Sequence, residues 1–256
     1  MQAGFAIELG DIAVYFIALL YAVIVLTVAD LARRKMNWRP EFTRRIVHLF
    51  AGFAIWAVPY FPHPWVATLV GFTFVLMLAL ANHERFSRFF EAMARPEDLE
   101  HGSVRGPLWY AVSITILTAV FTITGYQNLY FIPAAAIHIM MLGDGMSAPI
   151  GMRYGINSCR VIFGSKRSPH GCAAVLIFGF FGALLAFWFF GIVNYGVFAS
   201  GGNILWIQML VLALIGAFIA TIVEALSPKG TDNILLPLIT CVALLFAGMA
   251  MGIVAF

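Results

Sequence analysis

The chain has 256 residues, 62% apolar and only 11% charged, with a formal charge of +3 and a mean hydropathy of +0.94. Soluble domains run at about 45–50% apolar and about 25% charged, and disordered chains are poorer still in apolar residues. Both classes are therefore excluded, and a polytopic membrane protein remains. Alternating strand patterns are absent, which excludes a barrel. Backbone groups in lipid must be satisfied internally, so each apolar run predicts a helix.

Eight such runs follow in chain order: Ile12–Ala29, Ile46–Phe61, Trp65–Ala81, Leu108–Thr124, Leu129–Leu142, Cys172–Val193, Asn203–Leu226 and Ile234–Phe256. A span needs about 20 apolar residues, so the second and fifth runs are short, and the second also contains Pro59. Eight alternating passes place all 15 Lys and Arg on one side, which the positive-inside rule makes cytoplasmic. The termini then lie on the opposite side. Of the 12 acidic residues, only Glu8 and Asp11 fall outside with them. The first run lacks a basic start and a small-residue cleavage site, so no removable signal peptide is expected. Between runs three and four, Glu84–Arg95 reads as an amphipathic interfacial helix, with Phe86, Phe89, Phe90 and Met93 at helical spacing. Cys159, Cys172 and Cys241 have no zinc-finger spacing, and three cysteines cannot all pair. The fold expected is an all-α bundle of about eight transmembrane helices, a single domain over 1–256, with active-site loops on the cytoplasmic side.

Four polar clusters fall at that one surface. Arg44-Arg45-x-x-His48-x-x-x-Gly52 enters the second run, with Arg44, His48 and Gly52 on one helix face. The arginines also suit snorkelling anchors, but an ionisable histidine within a span usually faces a bundle or cavity. Gly143-Asp144-Gly145 opens a segment reaching Gly155 in which glycines let a backbone approach phosphates while a carboxylate reaches a divalent ion. The competing reading is a close helix contact through Gly151-x-x-x-Gly155. Ser165-Lys166-Arg167-Ser168-Pro169-His170-Gly171 combines cations and hydroxyls just before a helix, a setting suited to a polyanion. Glu224 precedes Lys229-Gly230-Thr231-Asp232-Asn233 and Pro237, where Asp232-Asn233 is either a helix cap or a magnesium-binding pair. Carboxylates for a metal, cations for phosphates and a candidate base together fit phosphoryl or nucleotidyl transfer.

These motifs, in this order, resemble those of the polyprenol kinase family, which includes dolichol, phytol and farnesol kinases and a CTP-dependent diacylglycerol kinase. Arg44-Arg45-x-x-His48 is similar to the family's Arg-Lys-x-x-His, and Gly143 to Gly155 to its Gly-Asp-x-x-Ala/Ser-x-x-x-Gly-x-x-x-Gly. Arg167 to Gly171 resembles Lys-Ser-x-Glu-Gly, Asp232 to Pro237 resembles Asp-Asn-x-x-x-Pro, and Arg105 to Tyr110 resembles a motif of the phytol kinase branch. Arg45 stands where Lys is usual, and His170 where many members carry Glu. The resemblance implies CTP or another nucleoside triphosphate as donor, an isoprenoid alcohol as acceptor, and no nucleic acid partner. On this reading Asp144 and Asp232, with Asn233, hold Mg²⁺-nucleotide. Arg44, Arg45, Gly143, Gly145, Lys166, Arg167 and Ser168 contact its phosphates. His48 or Glu224 is the base. The alternatives are a CDP-lipid-forming cytidylyltransferase and a small transporter, for which His138 is the deepest ionisable residue.

Overall fold

A computed structural model describes residues 7–81, 105–193 and 204–254, so the expected interfacial helix over Glu84–Arg95 lies outside the described residues. All eight apolar runs are mostly helical among the described residues, but six helices there rather than eight are long and apolar enough to cross a membrane: Leu9–Lys35, Gly106–Ile123, Gln127–Tyr154, Pro169–Val193, Trp206–Leu226 and Asp232–Ala250. The described residues gather into two compact units, one ending near Gln127 and one beginning near Asn128.

In the first unit, α1 (Leu9–Lys35) ends in Arg33, Arg34 and Lys35, cations that complement the helix dipole. α2 (Pro40–Gly52) starts on a proline, whose missing N–H costs nothing in a first turn. At Phe53 the α-helix gives way to a 3-10 helix, Phe53–Tyr60, with Pro59 inside it. This break is what makes the second run unlike a simple span. A short 3-10 turn, Pro64–Val66, leads into α3 (Ala67–Ala81), and α4 covers Arg105–Ile123.

Contacts at both ends fix the course of these helices. At one end Asp11 accepts from the backbone N–H of His63 at 2.9 Å and from His63 Nδ1 at 2.8 Å, and Thr68 meets Thr122 at 3.3 Å. At the other, Ala29, Val47 and Leu78 form a core flanked by Leu108 and Ala111. Asp11 and Ala29 are about 27 Å apart at ~1.5 Å of rise per residue, close to the thickness of a hydrocarbon core. The broken second segment and short third one thus run nearly the same height as α1. The outward face of α1 carries Phe16, Ile17, Leu20, Val23 and Ile24 exposed, as a lipid-facing helix requires.

The buried Asp11 carboxylate also accepts from Glu8 N–H at 3.0 Å. Asp11→Ala leaves that donor and both His63 donors without their acceptor. It is expected to cost about 1–3 kcal/mol, read as a lower thermal unfolding midpoint of the purified protein. An unchanged midpoint would mean the Asp11–His63 clasp holds nothing together.

The second unit is built around its first helix. α5 (Phe131–His138) is buried along its whole length, continues as a π-helical segment, Ile139–Asp144, and then as α6 (Gly145–Tyr154). The fifth run is therefore not short: its helix is continuous from Gln127 to Tyr154. The expected glycine-rich loop after it is helix instead. A two-stranded ribbon follows, β1 (Arg160–Ile162) antiparallel to β2 (Ser165–Arg167). α7 (Pro169–Ala186) extends into a π-helical segment, Phe187–Val193, and α8 (Trp206–Leu226) and α9 (Asp232–Ala250) complete the unit.

α7 runs antiparallel to the central helix. A Cβ on Gly182 would lie 2.6 Å from His138 O, one on Gly143 3.1 Å from Val175 O, and one on Gly155 2.6 Å from Ser168 Cβ. Small residues allow this backbone approach, so the Gly143–Gly155 pattern is first of all a packing device. The alternative reading of His138 as a transport residue loses its support: Nδ1 meets Ala134 O at 2.8 Å and the ring packs edge-on to Phe190. Cys159, Cys172 and Cys241 carry free thiols.

Candidate active site

The polar end of the second unit collects residues from five elements. Asp144 closes the π-helical segment, and Ser147, one turn on, donates to Asp144 O at 3.0 Å. A π turn inserts a residue into the helical register, and such turns concentrate at functional sites. Glu224 lies in the last turn of α8 and Asp232 at the start of α9, both buried. Arg167, on β2, donates through NH1 to Glu224 Oε1 and holds NH2 3.7 Å from Asp232 Oδ2. Its Nε is buried with no hydrogen-bond partner among the described residues. Asp144 and Asp232 also act electrostatically on Glu224.

Two carboxylates thus flank one guanidinium, and Asp144 acts electrostatically on one of them, Glu224. No group of three or more His, Cys, Asp or Glu among the described residues forms a ready metal cage. Mg²⁺ requires no such cage, because it usually takes one or two carboxylates and completes its octahedron with waters and substrate phosphates. Asp144 and Asp232 are the oxygen donors suited to it. Asn233 N–H donates to Asp232 Oδ1 at 3.1 Å, holding that carboxylate in place. The helix cap is Thr231, one residue earlier than the Asp232-Asn233 pair.

Several expected phosphate contacts take other roles. Gly143 is buried against α7, and the Gly145 N–H is taken by Leu142 O within the continuous helix, so no backbone cradle opens there. Ser168 is the buried N-cap of α7 and accepts from Gly171 N–H at 3.1 Å, with Pro169 at the first helical position. In the ribbon, Lys166 pairs with Val161 and Arg167 with Arg160. Successive strand residues face opposite ways, so Lys166 lies on the face away from Arg167, exposed. The active-site loops expected from sequence are therefore mostly helix ends and one strand.

Arg44, Arg45 and His48 belong to the first unit. All three are half-buried on α2. Tyr110 donates to His48 O at 2.8 Å, and the two rings stand 4.4 Å apart. Tyr110 and Ser147 are the residues that motif reading passed over, though each lies within a motif already singled out. Their signal was position: Ser147 follows Asp144 by one turn, and Tyr110 opens a span.

No family model and no solved structure matches the chain. Curated relatives do. A phytol kinase of Synechocystis sp. is 28% identical over 228 residues, 89% of this chain and 88% of that protein. A probable chloroplastic phytol kinase of Triticum aestivum is 30% identical over 151 residues, 57% of this chain and 46% of that protein. Phytol kinase 1 of Arabidopsis thaliana is 24% identical over 232 residues, 86% of this chain and 70% of that protein. Over most of its length the chain is thus similar to proteins named as phytol kinases.

His170 is exposed in the first turn of α7, where the resemblance implies Glu. A carboxylate suits a helix N-terminus better than an imidazole. His170→Glu is expected to raise stability by about 0.3–1 kcal/mol, seen in denaturant or thermal unfolding at low salt. A lower midpoint would show that His170 is held by contacts other than the dipole.

Proposed function

We propose that the chain phosphorylates a membrane isoprenoid alcohol, such as phytol, geranylgeraniol or dolichol, with CTP or another nucleoside triphosphate as donor. It acts as one transmembrane lipid kinase domain over 1–256. The observation that carries this reading is the cluster of Asp144, Glu224 and Asp232 with Arg167, a polar site at the end of apolar helices. A nucleotide from water and an alcohol from lipid can meet only at such a place. The alcohol oxygen bonds to the γ-phosphorus, the bridging bond to the nucleoside diphosphate breaks, and the hydroxyl proton passes to a base. Glu224 is the candidate for that base within the second unit. Arg167 binds the transferring phosphoryl group, exchanging its carboxylate contacts for phosphate oxygens. Asp144 and Asp232, with Asn233, would hold Mg²⁺, which neutralises charge on the phosphates when bound. The positive-inside distribution supports a cytoplasmic site with both termini on the opposite side.

The test is purified protein with labelled CTP and ATP against phytol, geranylgeraniol, dolichol and diacylglycerol. A labelled lipid monophosphate with release of nucleoside diphosphate is expected. A CDP-lipid with pyrophosphate would turn the reading to cytidylyl transfer, and no labelled lipid at all would overturn it.

A further inference from the structure

The ribbon joins two helices long and apolar enough to span the membrane, Gln127–Tyr154 and Pro169–Val193, so it lies at a membrane surface. Its outward face is unusual for a water-facing hairpin. Val161 is 71% exposed and Phe163 66%, with Met152 and Tyr154 also exposed just before it. Phe163 occupies the tip with φ +45°, followed by Gly164 at φ +79°. Two left-handed residues make the turn type that closes hairpins, but such positions normally carry Asn, Asp or Gly. An aromatic ring is held outward there at a conformational cost. Lys229 N–H donates to Phe163 O at 3.2 Å and ties the tip to the connection between α8 and α9.

The exposed charges on the ribbon and on the helix turn before it are all of one sign. Arg153, Arg160 and Lys166 are exposed, Arg153 lies 5.4 Å from the Tyr154 ring centre, and no Asp or Glu occurs between Asp144 and Glu224. Exposed aromatic and aliphatic side chains set among Lys and Arg are the composition of a surface that sits at the headgroup level of an anionic leaflet. We propose that this outer face of the ribbon docks on anionic phospholipid headgroups, with Phe163 and Val161 entering the acyl boundary and Arg153 and Lys166 meeting lipid phosphates. The inner face of the same ribbon carries Arg167 and, opposite it, Arg160.

The test needs neither nucleotide nor acceptor, so it stands apart from the kinase reading. The full chain in micelles is exchanged with an equal mixture of phosphatidylglycerol and phosphatidylcholine, and retained lipid is counted by native mass spectrometry. Wild type is expected to prefer phosphatidylglycerol, and the preference to fall about five-fold for each cation removed in Arg153→Gln and Lys166→Gln. Val161→Ser with Phe163→Ser is expected to lower retention of both lipids. Unfolding midpoints check that the variants fold. For any that do not, a salt titration of wild type serves, since the preference must weaken as ionic strength rises. Equal retention in wild type and the charge variants, or a preference indifferent to salt, would overturn the proposal. So would displacement of phosphatidylglycerol by CTP or inorganic phosphate, which would make the patch a site for free phosphate.

Discussion

Asp144→Asn is expected to lower turnover roughly 10²–10³-fold, the loss seen when one preorganised electrostatic group is removed from a transition state. The fold is expected to survive. Asn has nearly the shape of Asp, and the substitution removes a negative charge that acts on the buried Glu224 carboxylate. The unfolding midpoint should therefore hold or rise while activity collapses. The measurement is initial rate against Mg²⁺ and nucleotide concentration, beside a thermal melt of the same preparation. Half-saturating Mg²⁺ is expected to increase. Full activity with unchanged Mg²⁺ dependence would sink the role given to Asp144.

Arg167→Met separates stability from chemistry. The Arg167 and Glu224 side chains are 12% and 3% exposed, so removing the guanidinium leaves a carboxylate buried without its counter-charge. Breaking a buried pair from one side costs about 3–5 kcal/mol. Arg167→Met should be strongly destabilised, and adding Glu224→Gln should recover most of that loss by removing the stranded charge. Activity should stay absent in both variants, because neither can bind the transferring phosphoryl group through Arg167. A double variant as unstable as the single one would refute the ion-pair account. An active Arg167→Met would refute the phosphate role.

Much of the site was readable from residue types. Asp144, Arg167, Glu224 and Asp232 stand out in a chain where charge is scarce, because each must be hydrated or balanced near an apolar bundle. Their grouping was less readable. Arg167 and Glu224 are 57 residues apart, and no local pattern says which carboxylate a guanidinium will meet. Lys166 and Arg167 look equivalent as neighbours, yet strand alternation separates them. Ser168 reads as a phosphate contact until Pro169 and the Gly171 N–H identify a helix cap. The Gly143–Gly155 segment reads as a loop because glycines are common in loops. It is helix because α7 packs too close for larger side chains.

The sequence by itself determined that this chain is a bundle of apolar helices with its polar chemistry concentrated in few positions. Burial of apolar surface and satisfaction of backbone hydrogen bonds are written into composition and run length. Only the tertiary structure decided that one π turn, one strand and two helix ends make a single acidic cluster that holds an arginine. Register and pairing depend on contacts between segments distant in the chain, and those energies belong to the packed unit rather than to any stretch of residues.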